Sequence, residues 1–379
     1  MVFGTLLVLG AAAAGYYVYD KVKEQKAKEK YAELISDAND QQDAETVRIK
    51  KRAILGRLVY GTYDRFRGAE NYEEWWTNVH YRLVPLESVL SVDERNSYAE
   101  ELQDELCNQY FGVFQRTNES LPSALAPNWV VAIRGTDLSN IEDIINDLSI
   151  FTETLHSSTL IPILEAVVRS LVAQHGYDNV NVTGHSLGAA AGLLVCRRLA
   201  LEGCLVEGHF FNPPFTTLKS LLRVIPKEWR PMSEELCEDG KSLAMELLET
   251  DPDPYSKSKA LAEFARLAKV NWSPYLYVNK YDVICNDFLS HFEKAKPGTC
   301  NYDEEKWYSS VTDLTQWVLG ETESFHLFPF AHLNKIKKTK YGFRPVSAHK
   351  LWTWLNPRVA GQFKQARLIP RPHNLDGML

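Results

Sequence analysis

The residues Gly-His-Ser-Leu-Gly-Ala at 184–189 form the strongest chemical pattern in the chain. They match G-x-S-x-G, in which a serine hydroxyl stands on a sharp turn between a strand and a helix and acts as a nucleophile. Residues 180–183, Val-Asn-Val-Thr, predict a strand, and the Ala- and Leu-rich run 187–201 is typical of a helix, with almost no loop between them. We therefore predict that Ser186 is a nucleophile on such an elbow. The other elbow residues are Gly184, His185 and Gly188.

His185 is predicted to pack at the elbow rather than act as a base, since a residue next to the serine points away from its hydroxyl. An attacked carbonyl also needs hydrogen-bond donors for its oxyanion. The backbone N–H of Leu187, at the positive end of the predicted helix, is one candidate. The second is Thr136, which follows the predicted strand Trp129–Gly135 and offers a backbone N–H and a hydroxyl. An ordinary turn at Thr136 is the alternative, and Arg134 is expected to hold this loop.

A serine nucleophile of this type is followed along the chain first by an acid and then by a histidine. Asp282 comes directly after the predicted strand 275–278, so its carboxylate is expected at the same sheet edge as the elbow. A turn carboxylate is the alternative interpretation. His349 stands where a loop opens into a short aromatic helix, from which an imidazole can reach the sheet edge. The candidates that fit less well are Asp287, Asp303, His291, His326 and His332.

Composition limits the classes of protein and of site. The chain has 379 residues, of which 45% are hydrophobic, so it can bury a large core and is neither a disulfide miniprotein nor a disordered chain. Its net charge of -7 opposes general binding to nucleic acid. Six scattered cysteines without a C-x-x-C pair indicate reduced thiols rather than a structural zinc site or a disulfide framework. We expect no metal or organic cofactor.

The residues before 53 form two segments of different character. In the segment 1–19, residues 2–19 contain no charged side chain and, as a helix, would span about 27 Å, close to the thickness of a bilayer core. Lysines follow this run rather than precede it, which favours an uncleaved anchor with the rest of the protein in the cytosol. A cleaved signal peptide and a helix docked on protein or lipid are the alternatives. Residues 20–52 are charged and predict a solvated helical stalk.

Apolar runs of strand and helix length alternate over 53–356, which predicts one α/β domain with a mostly parallel sheet flanked by helices. Apolar residues at three- and four-residue spacing predict a helix over 160–175. A helical insertion over about 214–270 has the size of a lid over a pocket. Residues 357–379 are assigned to a C-terminal tail.

These pieces together resemble the class 3 lipases, the fungal-lipase-like branch of the α/β-hydrolase superfamily, over about four-fifths of the chain. The matching stretches are WWTNVHYRLV, VVAIRGT, VNVTGHSLGAA, FFNPPF, YVNKYDVIC and AHKLWTW. The resemblance implies the α/β-hydrolase fold and hydrolysis of acyl-lipid esters, with Ser186, Asp282 and His349 as the triad and Thr136 and Leu187 in the oxyanion hole. The insertion and the N-terminal anchor depart from the family pattern.

A pocket for a long acyl chain is expected near the elbow, although a role in the core is an equal alternative for its residues. Its predicted lining residues are Phe211, Phe215, Leu218, Leu221 and Leu222. With the anchor, they predict a membrane-associated lipase or esterase, or a phospholipase, on the surface of the endoplasmic reticulum, a lipid droplet or another organelle. The alternatives are a catalytically silent membrane-tethered scaffold and a soluble short-chain carboxylesterase or acyltransferase. The oligomeric state is left open.

Overall fold

The fold comes from a computed structural model. It describes residues 43–103, 110–117, 124–135, 160–214, 254–282, 285, 328–336, 348–356, 359 and 361–367.

One eight-stranded sheet organises the described residues, and its spatial order β1-β2-β3-β4-β5-β6-β7-β8 follows the order of the strands in the chain. The five central strands β3 to β7 run parallel, whereas β1, β2 and β8 pair antiparallel at the two edges. The strands are Tyr81–Val84 (β1), Phe111–Arg116 (β2), Trp129–Ile133 (β3), Val180–His185 (β4), Glu207–Phe211 (β5), Tyr275–Asn279 (β6), Phe330–Ile336 (β7) and Gly361–Arg367 (β8).

Helices cover both faces of the sheet. The described helices are Ala44–Phe66 (α1), Glu74–Thr77 (α2), Val92–Ser97 (α3), Ala99–Gln103 (α4), Leu160–His175 (α5), Leu187–Leu201 (α6), Pro254–Val270 (α7) and Trp352–Leu355 (α8). Short 3-10 turns lie at Leu86–Ser88 and Tyr177–Asn179. Residues of α5, α6 and α7 share one buried cluster with the sheet, and residues of α1, α2 and α8 share the other.

The strands feed the two clusters alternately, because successive side chains of a strand point to opposite faces. In β3, Val131 and Ile133 join the cluster of α5, α6 and α7, whereas Val130 and Ala132 join the cluster of α1, α2 and α8. Burial on both faces explains why β3, with the sequence WVVAI, is a continuous apolar run.

The predicted α/β class is confirmed, with a largely parallel sheet between two helical layers. The two helices predicted at 160–175 and 187–201 are confirmed as α5 and α6. Apolar spacing located α5 because it buries one face, whereas α6 was predicted from its Ala- and Leu-rich composition, which suits a helix buried along most of its circumference. In the predicted insertion, the described part is α7.

The C-terminal assignment differs from the structure. Residues 361–367, assigned from sequence to the tail, form β8 and pair antiparallel with β7. The segment GQFKQAR has few apolar residues because an edge strand buries little of its surface, so it lacks the pattern of a central strand.

The predicted boundary between the stalk (20–52) and the domain falls within helix α1. Asp43 caps α1, accepting hydrogen bonds from the backbone of Glu45 and Thr46, and the helix continues across the boundary at 52 and 53. Arg52 itself is buried. Residues 1–42, including the predicted anchor, lie outside the described residues, and none of the described helices meets the length and hydropathy required for a membrane span.

Arg52 joins the first described helix to the last. Its Nη1 donates to the carbonyl oxygen of Val359 at 3.2 Å, and its Nη2 donates to that of Asn356 at 2.8 Å. Its guanidinium lies 5.8 Å from the ring centroid of Trp354.

Replacing the guanidinium by an apolar side chain should destabilise the domain. For Arg52→Met we expect a loss of about 2 kcal/mol in the free energy of unfolding, because two carbonyl groups lose charged donors. The exposed Arg95→Met should change it by less than about 0.5 kcal/mol. Chemical denaturation measures both, and equal effects would contradict the docking of α1 on the C-terminal segment.

Candidate active site

The backbone of Ser186 is strained at the junction of β4 and α6. Its φ is 55° and its ψ is −126°, a combination that side-chain-bearing residues rarely adopt. The Ser186 N–H donates to the carbonyl oxygen of Phe211 on β5 at 3.0 Å, which fixes the turn to the sheet. The serine is 1% exposed. The sequence predicted a sharp turn here from its strand and helix patterns, and the structure has a strained strand-to-helix turn at this residue.

Two glycines allow the strand and the helix to approach each other at the elbow. A β carbon on Gly184 would lie 2.3 Å from the carbonyl oxygen of Gly188. A β carbon on Gly188 would lie 2.4 Å from the carbonyl oxygen of Arg134, on the neighbouring chain segment after β3. Both neighbours are backbone atoms, which cannot rotate away as a side chain can. The glycines of the motif are therefore required by packing.

The segment after β3 lies directly against the elbow. A β carbon on Gly135 would be 2.8 Å from the β carbon of Ser186. The preceding Arg134 donates from Nη1 to the carbonyl oxygen of Gly135 at 2.8 Å, and its guanidinium lies 3.6 Å from the ring centroid of Phe66. The predicted oxyanion donor Thr136 is outside the described residues, but the residue before it contacts the candidate nucleophile.

Leu187 begins α6, immediately after Ser186. As the first residue of a helix, its N–H has no acceptor within that helix, and it stands at the positive end of the helix dipole. It is therefore available to a negatively charged oxygen next to the serine.

A buried imidazole and a buried carboxylate form the second half of the site. His349 Nδ1 donates to Asp282 Oδ2 at 2.7 Å, and the two residues are 3% and 0% exposed. An ionised carboxylate only accepts hydrogen bonds, so Nδ1 carries the proton and Nε2 of the neutral ring keeps a free lone pair. His349 Nε2 is buried and has no hydrogen-bond partner among the described residues.

Asp282 has a further partner that the sequence did not suggest. The Cys285 thiol donates to the same Oδ2 atom at 3.2 Å. Burial and the adjacent Asp282 charge raise the pKa of this thiol well above 9.0, so it stays protonated and acts as a donor. The Asp282 N–H in turn donates to the carbonyl oxygen of Asn279 at 2.9 Å.

The backbone of residues 348 and 349 is held by two buried amide side chains. Asn212 follows β5 and donates from Nδ2 to the carbonyl oxygen of His349 at 2.7 Å. Asn279 ends β6 and donates from Nδ2 to the carbonyl oxygen of Ala348 at 3.0 Å. Asn212 Oδ1 accepts from the indole N–H of Trp354 at 3.1 Å, so its orientation is fixed. The histidine thus depends on the carboxyl ends of two parallel strands.

The structure brings together three of the predicted residues at one sheet edge. Ser186 follows β4, Asp282 follows β6, and the ring of His349 lies 4.9 Å, centroid to centroid, from the ring of His185. No hydrogen bond joins the Ser186 hydroxyl to His349 Nε2 in the described part of the chain. In ligand-free sites such contacts are often long and shorten when substrate binds.

Other predicted residues are placed differently. Phe211 is fully buried, with its ring centroid 4.6 Å from that of Tyr277, so its side chain lies in the core of the α1 face. His332 pairs with the first residue of β6, at the end opposite Asp282. Several predicted or alternative residues lie outside the described part of the chain: Phe215, Leu218, Leu221, Leu222, Asp287, His291, Asp303 and His326.

No family model matches this chain. The chain is similar to a protein of Arabidopsis thaliana named GDSL esterase/lipase, with 26% identity over 336 residues. The match spans 80% of this chain and 88% of that protein. This chain therefore resembles a protein named as an esterase/lipase along most of its length. The sequence Gly-Asp-Ser-Leu does not occur in this chain, whose candidate nucleophile lies in Gly-His-Ser-Leu-Gly.

The packing of the elbow predicts an unequal response to two glycine substitutions within helices. Gly188→Ala should lower the free energy of unfolding by about 2 kcal/mol or more, because its β carbon meets backbone. At Gly56 in α1 the nearest atom is a methyl carbon of Leu355 at 3.0 Å, which can shift. There the better helix propensity of alanine, worth about 1 kcal/mol, offsets the crowding.

Chemical denaturation of the two variants measures this difference. A Gly188→Ala protein as stable as Gly56→Ala would show that the close approach at the elbow is not required.

Proposed function

We propose that this protein is a serine hydrolase that cleaves carboxylic esters of acyl lipids through Ser186, His349 and Asp282. The carrying observation is the buried His349–Asp282 hydrogen bond, which leaves Nε2 as the free nitrogen at the sheet edge where the strained Ser186 stands. The similarity to a protein named esterase/lipase supports the same reaction class.

In the proposed reaction, His349 Nε2 takes the proton of the Ser186 hydroxyl as its oxygen attacks the ester carbonyl carbon. The imidazolium that forms is stabilised by the Asp282 carboxylate, which stays ionised. The imidazolium then gives its proton to the departing alcohol, leaving an acyl-enzyme. Water, deprotonated by the same Nε2 atom, attacks this ester and releases the carboxylic acid and the free serine.

The oxyanion of each tetrahedral intermediate needs donors that are already in place. We assign the Leu187 N–H at the start of α6 to this role, together with the N–H or hydroxyl of Thr136. The contact between Gly135 and Ser186 supports the second assignment, because it brings the start of that loop to the nucleophile. Removing one such donor typically costs about 3 kcal/mol of transition-state stabilisation.

A class 3 lipase type of α/β-hydrolase is the form of this function that we favour. The elbow on β4 and the chain order Ser186, Asp282, His349 support it. Because α7 packs into the core with α5 and α6, we limit the lid in this proposal to the part of the 214–270 insertion that precedes α7, which would also supply the acyl-chain contacts Phe215, Leu218 and Leu222. Residues 1–19 anchor the enzyme to a membrane at which its lipid substrate lies, with the catalytic domain in the cytosol.

A fluorophosphonate probe tests the hydrolase function. The folded wild-type protein should form a covalent adduct at Ser186, located by mass spectrometry. Asp282→Asn should lower the rate of ester hydrolysis by roughly 10⁴-fold, because the histidine loses the partner that fixes its proton on Nδ1. Ser186→Ala should form no adduct, whereas Ser88→Ala, at an exposed serine outside the site, should label normally.

An unlabelled Ser186 in protein that circular dichroism shows to be folded would reject the hydrolase and favour the silent scaffold.

Interfacial action is tested by comparing long-chain esters dispersed as droplets with short-chain esters in solution. The full chain should prefer the dispersed substrate, and a variant lacking residues 1–31 should lose that preference while keeping its activity on the soluble ester. Equal preferences in the two proteins would instead favour a short-chain carboxylesterase.

A further inference from the structure

Tyr63 connects α1 to the segment after β3. The backbone N–H of Gly135 donates to the Tyr63 hydroxyl oxygen at 2.7 Å. A β carbon on Gly135 would lie 2.9 Å from this hydroxyl, so the absence of a side chain permits the contact. Tyr63 is 4% exposed, and its hydroxyl lies within the protein.

The Tyr63 hydroxyl also contacts His185, the elbow residue next to the candidate nucleophile. Its oxygen lies 2.9 Å from His185 Nδ1, and His185 Nε2 lies 2.8 Å from the carbonyl oxygen of His349. A carbonyl only accepts, so Nε2 carries the proton of the neutral ring and Nδ1 accepts from the Tyr63 O–H. The three hydrogen bonds form a series in which each donor points the same way. Gly135 N–H donates to Tyr63, Tyr63 O–H donates to His185, and His185 N–H donates to the His349 carbonyl.

This direction requires a neutral His185. Burial, and then the nearby His349 imidazole, hold the pKa of His185 well below its ordinary value of 6.5. A protonated ring would make Nδ1 a donor and leave the Tyr63 O–H without this acceptor. The hydrogen bond to the His349 carbonyl favours the charged form, but it is the smallest of the three effects on the pKa of His185.

This series of hydrogen bonds connects three segments whose relative positions must be fixed for the proposed reaction. Gly135 contacts Ser186 and precedes the proposed oxyanion donor Thr136, His185 adjoins Ser186 itself, and His349 is the proposed base. Asn212 and Asn279 also hold the backbone at 348 and 349, but among the described residues neither side chain makes a hydrogen bond to the segment after β3.

We propose that Tyr63 and His185 are positioning residues of the Ser186 site: their directed hydrogen-bond chain keeps the oxyanion segment, the elbow and the backbone of His349 in register. This inference rests on the proposed hydrolase function. Neither residue exchanges a proton with substrate. Their effect is on geometry, where a displacement of about 1 Å can cost 10²-fold in rate.

Tyr63→Phe tests the inference because it keeps the ring and removes only the hydroxyl. We expect kcat to fall by about 10- to 100-fold with KM within about twofold, since the transition state depends more on alignment than substrate binding does. The rate of fluorophosphonate labelling should fall in parallel. The Gly135 amide should exchange its hydrogen faster, which reports the lost acceptor without any catalysis.

Tyr81→Phe is the matched control. It also removes a buried tyrosine hydroxyl, which donates to the carbonyl oxygen of Pro127 at 2.7 Å in the same buried cluster. It should carry a similar stability cost and keep kcat within about twofold. His185→Gln is a second variant. Combining it with Tyr63→Phe should lower kcat little further, because either substitution alone interrupts the same series of hydrogen bonds.

The outcomes separate the inference from the function on which it rests. Wild-type protein that labels at Ser186, with folded Tyr63→Phe and His185→Gln reacting at the wild-type rate, would overturn the positioning role and leave the hydrolase intact. Failure of the folded wild type to label would overturn both. Nitrogen NMR shifts showing the His185 proton on Nδ1 would overturn the directed chain whatever the activity.

Discussion

The close approach of backbone to backbone at the elbow is the constraint on which the site depends. The end of β4, the start of α6 and the segment after β3 come so near each other that Gly184 and Gly188 have no room for a β carbon. This crowding holds Ser186 in a conformation that an isolated peptide would leave. The strain is sustained by the two buried clusters on either side of the sheet, which a local change at the elbow cannot easily move.

A second constraint concerns the buried charge of Asp282. A carboxylate without solvent access is stable only if its lone pairs are satisfied, and His349 and Cys285 both donate to it. The histidine is in turn fixed through its own backbone, because Asn212 and His185 both donate to its carbonyl oxygen. Side chain and main chain of the same residue are thus held from different strands, which limits the freedom of the ring.

The sequence predicted the parts of this structure that follow from local patterns. Helix α5 was predicted from apolar spacing and α6 from its Ala- and Leu-rich composition. The position of Ser186 between β4 and α6 was predicted from a motif whose glycines are required by packing. Strand β8 was assigned to a tail because an edge strand leaves little apolar signature. The bond between Tyr63 and His185 joins residues 122 positions apart, and a single sequence contains no signal for such a pair. Asn212 and Asn279 could have been found from the sequence, because they lie at the ends of buried parallel strands, where polar residues gather at one edge of the sheet.

The junction of α1 with the C-terminal segment has a consequence for biosynthesis. Arg52 reaches carbonyl groups 304 and 307 positions away. Leu351, Trp354 and Leu355 belong to the same buried cluster as α1. A ribosome therefore synthesises most of the chain before the residues that contact the first described helix have been made. During that interval the apolar residues of α1 lack the α8 side chains that cover them in the folded protein, a condition that favours aggregation of the incomplete chain.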